Sequence, residues 1–352
     1  MRYKKIAELC KNISADAVLL SSDENCRYAT SFGPFEGMTV VTADGECYLF
    51  TDMRYTEAAE KSSKTTGVKV VAVTEGIYKH ISDFFAVKGV KTVAYEDLSV
   101  TVAAFSAMEK KIEAEWIKLG PSVNRIRNVK DSLEVEYMQK AQRIAEAALE
   151  NVKNHIKAGV SEKQLAARLD YEMNLLGSEG VSFDTIFISG KNTSMPHGVP
   201  SDKVLQNGDF ITVDFGAVYN GYHSDMTRTF ALGYATDEMT EIYNAVLRAQ
   251  LAGIDAVEAG VSCRVPYECA VKALGKWGKY FTHSLGHGVG LAIHEGYSLS
   301  SKSDDILGKG NVVTVEPGVY IPDKFGVRIE DVIWLGEEKI NFMQTPKELL
   351  II

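Results

Sequence analysis

The chain has 352 residues, 45% of them hydrophobic, with a formal net charge of −9. That length accommodates two cores, because single cores stop growing at roughly 250–300 residues. An acidic balance argues against nucleic acid as a partner, which requires Lys and Arg clustered on one face.

Met1 to Cys10 carries Arg2, Lys4 and Lys5 without an apolar h-region. No later stretch approaches ~18 uninterrupted apolar residues. A cytoplasmic chain with no membrane partner is therefore expected. The five cysteines, Cys10, Cys26, Cys47, Cys263 and Cys269, are scattered and form no Cys-x-x-Cys pair, which reads as reduced thiols.

Residues 1–125 alternate short apolar runs with helical patterns. Strands are predicted at Ala17–Leu20, Thr39–Val41, Cys47–Phe50, Val68–Val73 and Thr92–Tyr95, with helices such as Met53–Lys61 and Ala103–Ile112 between them. This is an α/β domain. The charged segment Arg125–Glu136 leads into a long periodic helix over Ser132–Lys157, so the domain boundary is placed at residue 126, dividing the chain into 1–126 and 127–352. A second helix spans Ser161–Leu176, where Ser161 and Gln164 have capping-box spacing. Strands dominate afterwards, at Thr185–Ser189, Phe210–Phe215, Met226–Ala231, Val312–Val315 and Val327–Trp334, interrupted by helices near Asp237–Glu258 and Pro266–Trp277.

An internal echo links the two halves of this second region. Gly208-Asp-Phe-Ile-Thr-Val-Asp214-Phe-Gly216 matches Gly310-Asn-Val-Val-Thr-Val-Glu316-Pro-Gly318, with a carboxylate at the same place in each. A second acid follows each copy: Asp225 after the Asn220-Gly221 turn, and Glu330 after a longer loop. The pattern suggests a duplicated, pseudo-twofold domain.

Asp214 ends a β-branched and aromatic run suited to a buried strand, where an unpaired charge costs several kcal/mol. If Asn220-Gly221 closes a two-residue hairpin, Asp214 and Asp225 share one face about 7–8 Å apart on a diagonal. For Glu316 and Glu330 the longer loop leaves the register open. Four converging carboxylates would repel by roughly 4 kcal/mol per close pair at an effective dielectric near 20. Cations must balance them, and two divalent ions match four carboxylates in charge. The fifth candidate ligand is His287, in a glycine-rich run that also holds His283 and His294. With His197 in Met195-Pro-His197-Gly, these offer more imidazoles than such a shell needs, and the surplus suits proton transfer and oxyanion stabilisation. His80, His155 and His223 lack such company and read as surface or packing residues.

Ser-Gly-Lys-Asn-Thr-Ser-Met-Pro-His197-Gly, Val-Asp214-Phe-Gly-Ala, His-Ser-Asp225-Met-Thr-Arg-Thr, Gly-His287-Gly-Val-Gly, Glu316-Pro-Gly and Arg328-Ile-Glu330-Asp together resemble the Xaa-Pro aminopeptidase and prolidase family. The resemblance covers essentially the whole chain. It implies an α/β N-terminal domain followed by an α+β pita-bread catalytic domain. It further implies Asp214, Asp225, His287, Glu316 and Glu330 as ligands of two ions, usually Mn²⁺ or Co²⁺, although Zn²⁺ or Fe²⁺ would also suit the donors. His197 and His294 would line the active site as catalytic groups with Glu316 as proton acceptor, while His283 and Arg328 would lie beside them. The implied reaction is metal-assisted hydrolysis of the bond preceding proline, with a peptide as partner and a homodimer as assembly. The sequence departs from many family members after His294-Glu295, where Gly296 and Tyr297 stand in place of a nearby proline.

Xaa-Pro aminopeptidase is the leading expectation, with Xaa-Pro dipeptidase as the alternative. Methionine aminopeptidases share the fold, but their simpler members lack an N-terminal domain. Metal-free relatives, such as creatinase-like enzymes or peptide-binding chaperone domains, lose the ligands that this chain retains.

Overall fold

The computed structural model describes residues 1–33 and 35–352 and divides into two compact units, Met1–Arg127 and Asn128–Ile352. In the first unit, six strands form one mixed sheet: β1 (Ala17–Leu20), β2 (Gly37–Thr42), β3 (Cys47–Asp52), β4 (Lys69–Val73), β5 (Thr92–Tyr95) and β6 (Glu115–Lys118), in the order β4-β3-β2-β1-β5-β6. Six helices, α1 (Tyr3–Asn12), α2 (Asp23–Thr30), α3 (Met53–Thr66), α4 (Ile77–Lys88), α5 (Val102–Lys111) and α6 (Ser122–Arg127), alternate with them. Leu19, Val40 and Phe50 from the sheet pack with Phe85 of α4 and Met108 of α5. The sheet's outer strand β6 has exposed charged ends, which is why its four residues give no strand signal.

The second unit begins with α7 (Ser132–Lys153) and α8 (Glu162–Leu175), each opened by a complete capping box: Asp131 with Glu134, and Ser161 with Gln164. Ile144, Ala148 and Val152 are buried on one stripe of α7. This helix stops four residues short of the predicted Lys157, because His155 and Ile156 close on i→i−3 bonds to Val152 and Lys153.

Next come β7 (Ile186–Ser189), β8 (Phe210–Phe215), β9 (Val218–Tyr219), β10 (Tyr222–His223) and β11 (Met226–Ala231), with β8 central to the sheet β11-β8-β7. The pattern then repeats. Helices α9 (Asp237–Ala256) and α10 (Arg264–Leu274) precede β12 (Gly286–His287), β13 (Ser298–Leu299), β14 (Val312–Val315), β15 (Gly318–Ile321), β16 (Phe325–Arg328), β17 (Asp331–Leu335) and β18 (Lys339–Asn341). In both halves a hairpin is inserted into an antiparallel pair, β9–β10 within β8–β11 and β15–β16 within β14–β17. The internal duplication read from the glycine-bounded echo is thus a structural repeat.

The predicted single strand Val327–Trp334 is instead two strands, β16 and β17. Pro317 on the facing segment has no N–H to donate, the Ile329 N to Pro317 O contact stretches to 3.5 Å, and Glu330 N turns to Thr227 O on β11. Phe210, Met239, Val246, Leu285, Val315 and Ile333 belong to the core that joins helices and sheets of this unit. Among the described residues no helix is long and apolar enough to cross a membrane.

Candidate metal centre

Hairpin geometry decides where the four acids point. Asn220 (φ 48°) and Gly221 (φ 76°) both adopt positive φ, the requirement of a two-residue type I′ turn, and Tyr219 faces Tyr222 across it. The same register continues into β8–β11, where Asp214 pairs with Thr227. Asp225 lies two places from Thr227, so it occupies the same face as Asp214, on the diagonal. In the second half a three-residue loop, Pro322–Lys324, joins Ile321 to Phe325, with Asp323 at φ 58°. Its register runs on to Val315↔Asp331, which sets Glu316 directly opposite Glu330. His287 reaches the acids from β12, which lies hard against β14: a Cβ on Gly286 would sit 2.0 Å from Thr314 O.

Asp225, His287 and Glu330 each present one donor atom within 4.8 Å of the others. His287 Nε2 lies 3.4 Å from Asp225 Oδ2 and 3.5 Å from Glu316 Oε1. Its Nδ1 is 3.1 Å from Gly288 O, and the tautomer that donates there leaves the Nε2 lone pair facing the carboxylates. Glu330 Oε2 accepts from Thr227 Oγ1 at 2.8 Å. Asp214 stands slightly apart, its Oδ2 accepting from Arg328 Nη2 at 2.6 Å. Its Oδ1 is buried with no hydrogen-bond partner among the described residues.

Such a cluster of acids ionises reluctantly. Burial, reinforced by neighbouring carboxylates, raises Asp225 to about 6 and Glu316 to about 7, and pushes Glu330 well above the usual carboxylate range. Burial alone would lower His287, but its hydrogen bond to Asp225 and the charges of Asp225 and Glu316 lift it to about 9. Oxygen donors with one imidazole, an orphaned buried carboxylate oxygen and an excess of negative charge all fit divalent cations.

A pH dependence follows for the metal-free chain. Folded, it retains protons on Asp225, Glu316, Glu330 and His287 that the unfolded chain releases. These four groups therefore contribute stability that is fully present below the free-aspartate value of 3.8 and is lost as pH rises through about 9, whereas His283 and His294, held below the ordinary imidazole value of 6.5, work the other way beneath that value. The slope is about 1.4 kcal/mol per pH unit for each extra proton held. Differential scanning from pH 7 to 9, above the ordinary imidazole value, is expected to show the chelated protein losing Tm and the metal-reconstituted protein largely escaping that loss. A chelated Tm that climbs across this window would contradict the assignment.

The remaining predicted site residues, His197, His283, His294 and Arg328, line the same cavity of about 540 Å³. The rings of His287 and His294 are 4.2 Å apart. His283 belongs to a hydrogen-bonded chain: its Nδ1 is 2.8 Å from Ser284 O, its Nε2 is 2.9 Å from Tyr320 Oη, and Arg328 Nη1 donates to that same oxygen at 2.9 Å. Burial and the Arg328 charge bring His283 down to about 4, so it is neutral. The lining also includes the apolar side chains of Phe183, Ile186, Pro196, Val199, Pro200 and Ile293. His155 is exposed, His80 and His223 are half-buried, and none of the three lines the cavity.

Sequence reading overlooked Tyr320, Thr227 and Lys130. Thr227 shares its strand face with Asp225, a signal that was there to use. Lys130 forms a buried ion pair with Glu295 at 2.7 Å, although it lies in the charged segment read as a boundary. Tyr320 carried no signal, because its partners are set only by the fold.

Residues 136–337 match the model of metallopeptidase family M24, and residues 2–129 match the creatinase/prolidase N-terminal domain. The chain is 33% identical to a Xaa-Pro dipeptidase of Pyrococcus horikoshii over 99% of its own length and 98% of that protein's. Among solved structures, a Xaa-Pro dipeptidase from Bacillus anthracis superposes with a TM-score of 0.94 at 36% identity, covering 100% of this chain and 99% of that one. An X-Pro aminopeptidase from Thermotoga maritima superposes with a TM-score of 0.92 at 33% identity, covering 99% and 100%. The second unit thus has the pita-bread fold, and the chain belongs to metallopeptidase family M24, as a hydrolase that depends on divalent metal ions and acts on peptides.

Proposed function

We propose that this protein is a dinuclear Xaa-Pro aminopeptidase, releasing an N-terminal residue that precedes proline. Asp214, Asp225, His287, Glu316 and Glu330 would hold two cations, with Mn²⁺ the best match to mostly carboxylate oxygen donors. When bound, the cations would lower the pKa of water and polarise the scissile carbonyl.

The chain's own groups supply the rest. Glu316, raised to about 7 by burial, is poised to exchange a proton near neutral pH, and Thr314 Oγ1 steadies it through a 3.3 Å hydrogen bond to Oε1. His294 is held neutral by burial and by the neighbouring His287 and His197, so it can donate a hydrogen bond to a developing oxyanion without bringing a charge. His197, which lines the same cavity, is assigned to the leaving nitrogen. The apolar side chains of the lining offer a surface on which a pyrrolidine ring could pack.

One observation favours the aminopeptidase. The cavity lining contains no lysine among the described residues, and its single arginine is committed to Asp214, Tyr320 and Pro196 O. A dipeptide's C-terminal carboxylate has no free cation waiting there, whereas a longer peptide carries that charge away. The second reading, Xaa-Pro dipeptidase, is favoured by the names of the Pyrococcus and Bacillus relatives.

The discriminating experiment compares Xaa-Pro dipeptides with Xaa-Pro-Yaa tripeptides after stripping the protein and restoring Mn²⁺, Co²⁺, Zn²⁺ or Fe²⁺ singly. Higher kcat/KM on tripeptides is expected, most of all with Mn²⁺. Cleavage confined to dipeptides would hand the assignment to the second reading. The same proposal assigns 1–126 as the N-terminal domain and 127–352 as the catalytic domain, in a cytoplasmic homodimer.

A further inference from the structure

Residues 189–201 form a loop whose two ends are held by one carboxylate. Glu162, the first residue of α8, is fully buried. Its Oε1 accepts from Ser189 N at 2.7 Å and Ser189 Oγ at 2.9 Å, while its Oε2 accepts from Ser201 N at 3.0 Å and Ser201 Oγ at 2.7 Å. Asn192 Nδ2 reaches both oxygens, at 3.0 and 3.1 Å. Five donors from three points of the loop thus converge on one side chain.

Between those anchors, Pro196, His197, Gly198, Val199 and Pro200 all line the cavity. The middle of the loop is tied to β16. Gly326 N donates to Thr193 Oγ1 at 2.8 Å, and Arg328 Nη1 donates to Pro196 O at 3.2 Å. Glu162 bonds to none of the candidate metal ligands.

A glutamate in the first turn of a helix gains only about 0.3–1 kcal/mol from the helix dipole, and it can do so while exposed to water. Burying a carboxylate costs several kcal/mol, so its place here is accounted for by what it holds. We propose that Glu162 is a positioning residue for the peptidase reaction. It staples the neck of loop 189–201 so that His197 meets the peptide in a fixed geometry. This rests on the role given to His197 above.

The test is a double-mutant cycle of Glu162→Gln and His197→Ala, with metal affinity measured by chelator competition on each purified protein. Glutamine keeps the size of the side chain but turns an NH₂ toward converging donors. Glu162→Gln is expected to lower kcat by about 10–100-fold, the scale of a misplaced catalytic group, with metal affinity unchanged. In the His197→Ala background the same change should cost almost nothing more, and Glu162→Asp should recover part of the loss. Ser201→Ala removes one donor without touching the carboxylate and should show the same pattern in weaker form, which serves the cycle if Glu162→Gln fails to fold. Additive losses in the two backgrounds, or weakened metal binding alongside lost activity, would overturn the proposal. A fully active His197→Ala would instead remove the role assigned to His197, which is a separate failure.

Discussion

Replacing Glu316 by alanine is expected to abolish turnover and release metal together. Both proposed roles, proton acceptor and metal ligand, fall on Glu316, which lies 3.5 Å from His287 Nε2, faces Glu330 across the strand pair and lines the cavity. Losing the proton acceptor alone costs about 10²–10⁴-fold. Losing a ligand carboxylate also removes one of the four negative charges that make two divalent ions acceptable. Metal content by mass spectrometry after dialysis, read beside peptide hydrolysis, checks both halves of the expectation. Wild-type-like hydrolysis with full metal content would end the assignment. Glu316→Ala should also flatten the pH dependence of the metal-free protein, since it deletes a buried acid that titrates near 7.

Arg228→Met should produce a comparably large effect, on stability. The guanidinium and the Asp331 carboxylate are both essentially inaccessible and pair at 2.9 Å. Arg228 also donates to Thr227 O, Glu330 O, Thr345 O and Pro346 O, at 2.9, 2.7, 3.0 and 3.2 Å. It therefore clamps β11 to β17 and both to the C-terminal segment. Breaking a buried pair costs about 3–5 kcal/mol where the remaining charge is left uncompensated, and the low end applies here because Lys347 stays paired with Asp331. In a unit of this size that corresponds to a Tm lower by roughly 10 °C. Lys347 at 2.5 Å and Asn341 at 2.5 Å still reach the other Asp331 oxygen, which keeps the loss from being larger. Thermal unfolding of metal-saturated protein is the measurement, and a shift within a degree or two would show that the clamp is dispensable.

The first half of the site was legible in sequence because its geometry is local. Asn-Gly between two strands admits one common turn, and that turn places Asp225 on the face of Asp214 without further information. The second half was not, because its register depends on Asp323 accepting a positive φ, which nothing nearby in the sequence announces. Likewise, the break between β16 and β17 is caused by Pro317 on the facing segment, so a window confined to residues 327–334 reads one continuous strand. Glu162 shows the same limit from the polar side. As a helix-start glutamate it looks ordinary, and its partners lie 27 to 39 residues away. Asp214 and Glu316 stood out for the opposite reason: acids that end apolar runs are conspicuous without any knowledge of their partners.

Thr227 donates to Glu330 across 103 residues of chain, and the acids around them come in equal numbers from the two halves of the repeat. A cation seated among those acids would join segments that an unfolded chain keeps far apart, since gathering them without the fold costs loop-closure entropy several times over. It would behave as a removable cross-link, present only in the native state and absent from every opened form that a protease could enter. Metal supply would then govern the lifetime of the molecule as well as its chemistry, with starved copies being cleared first.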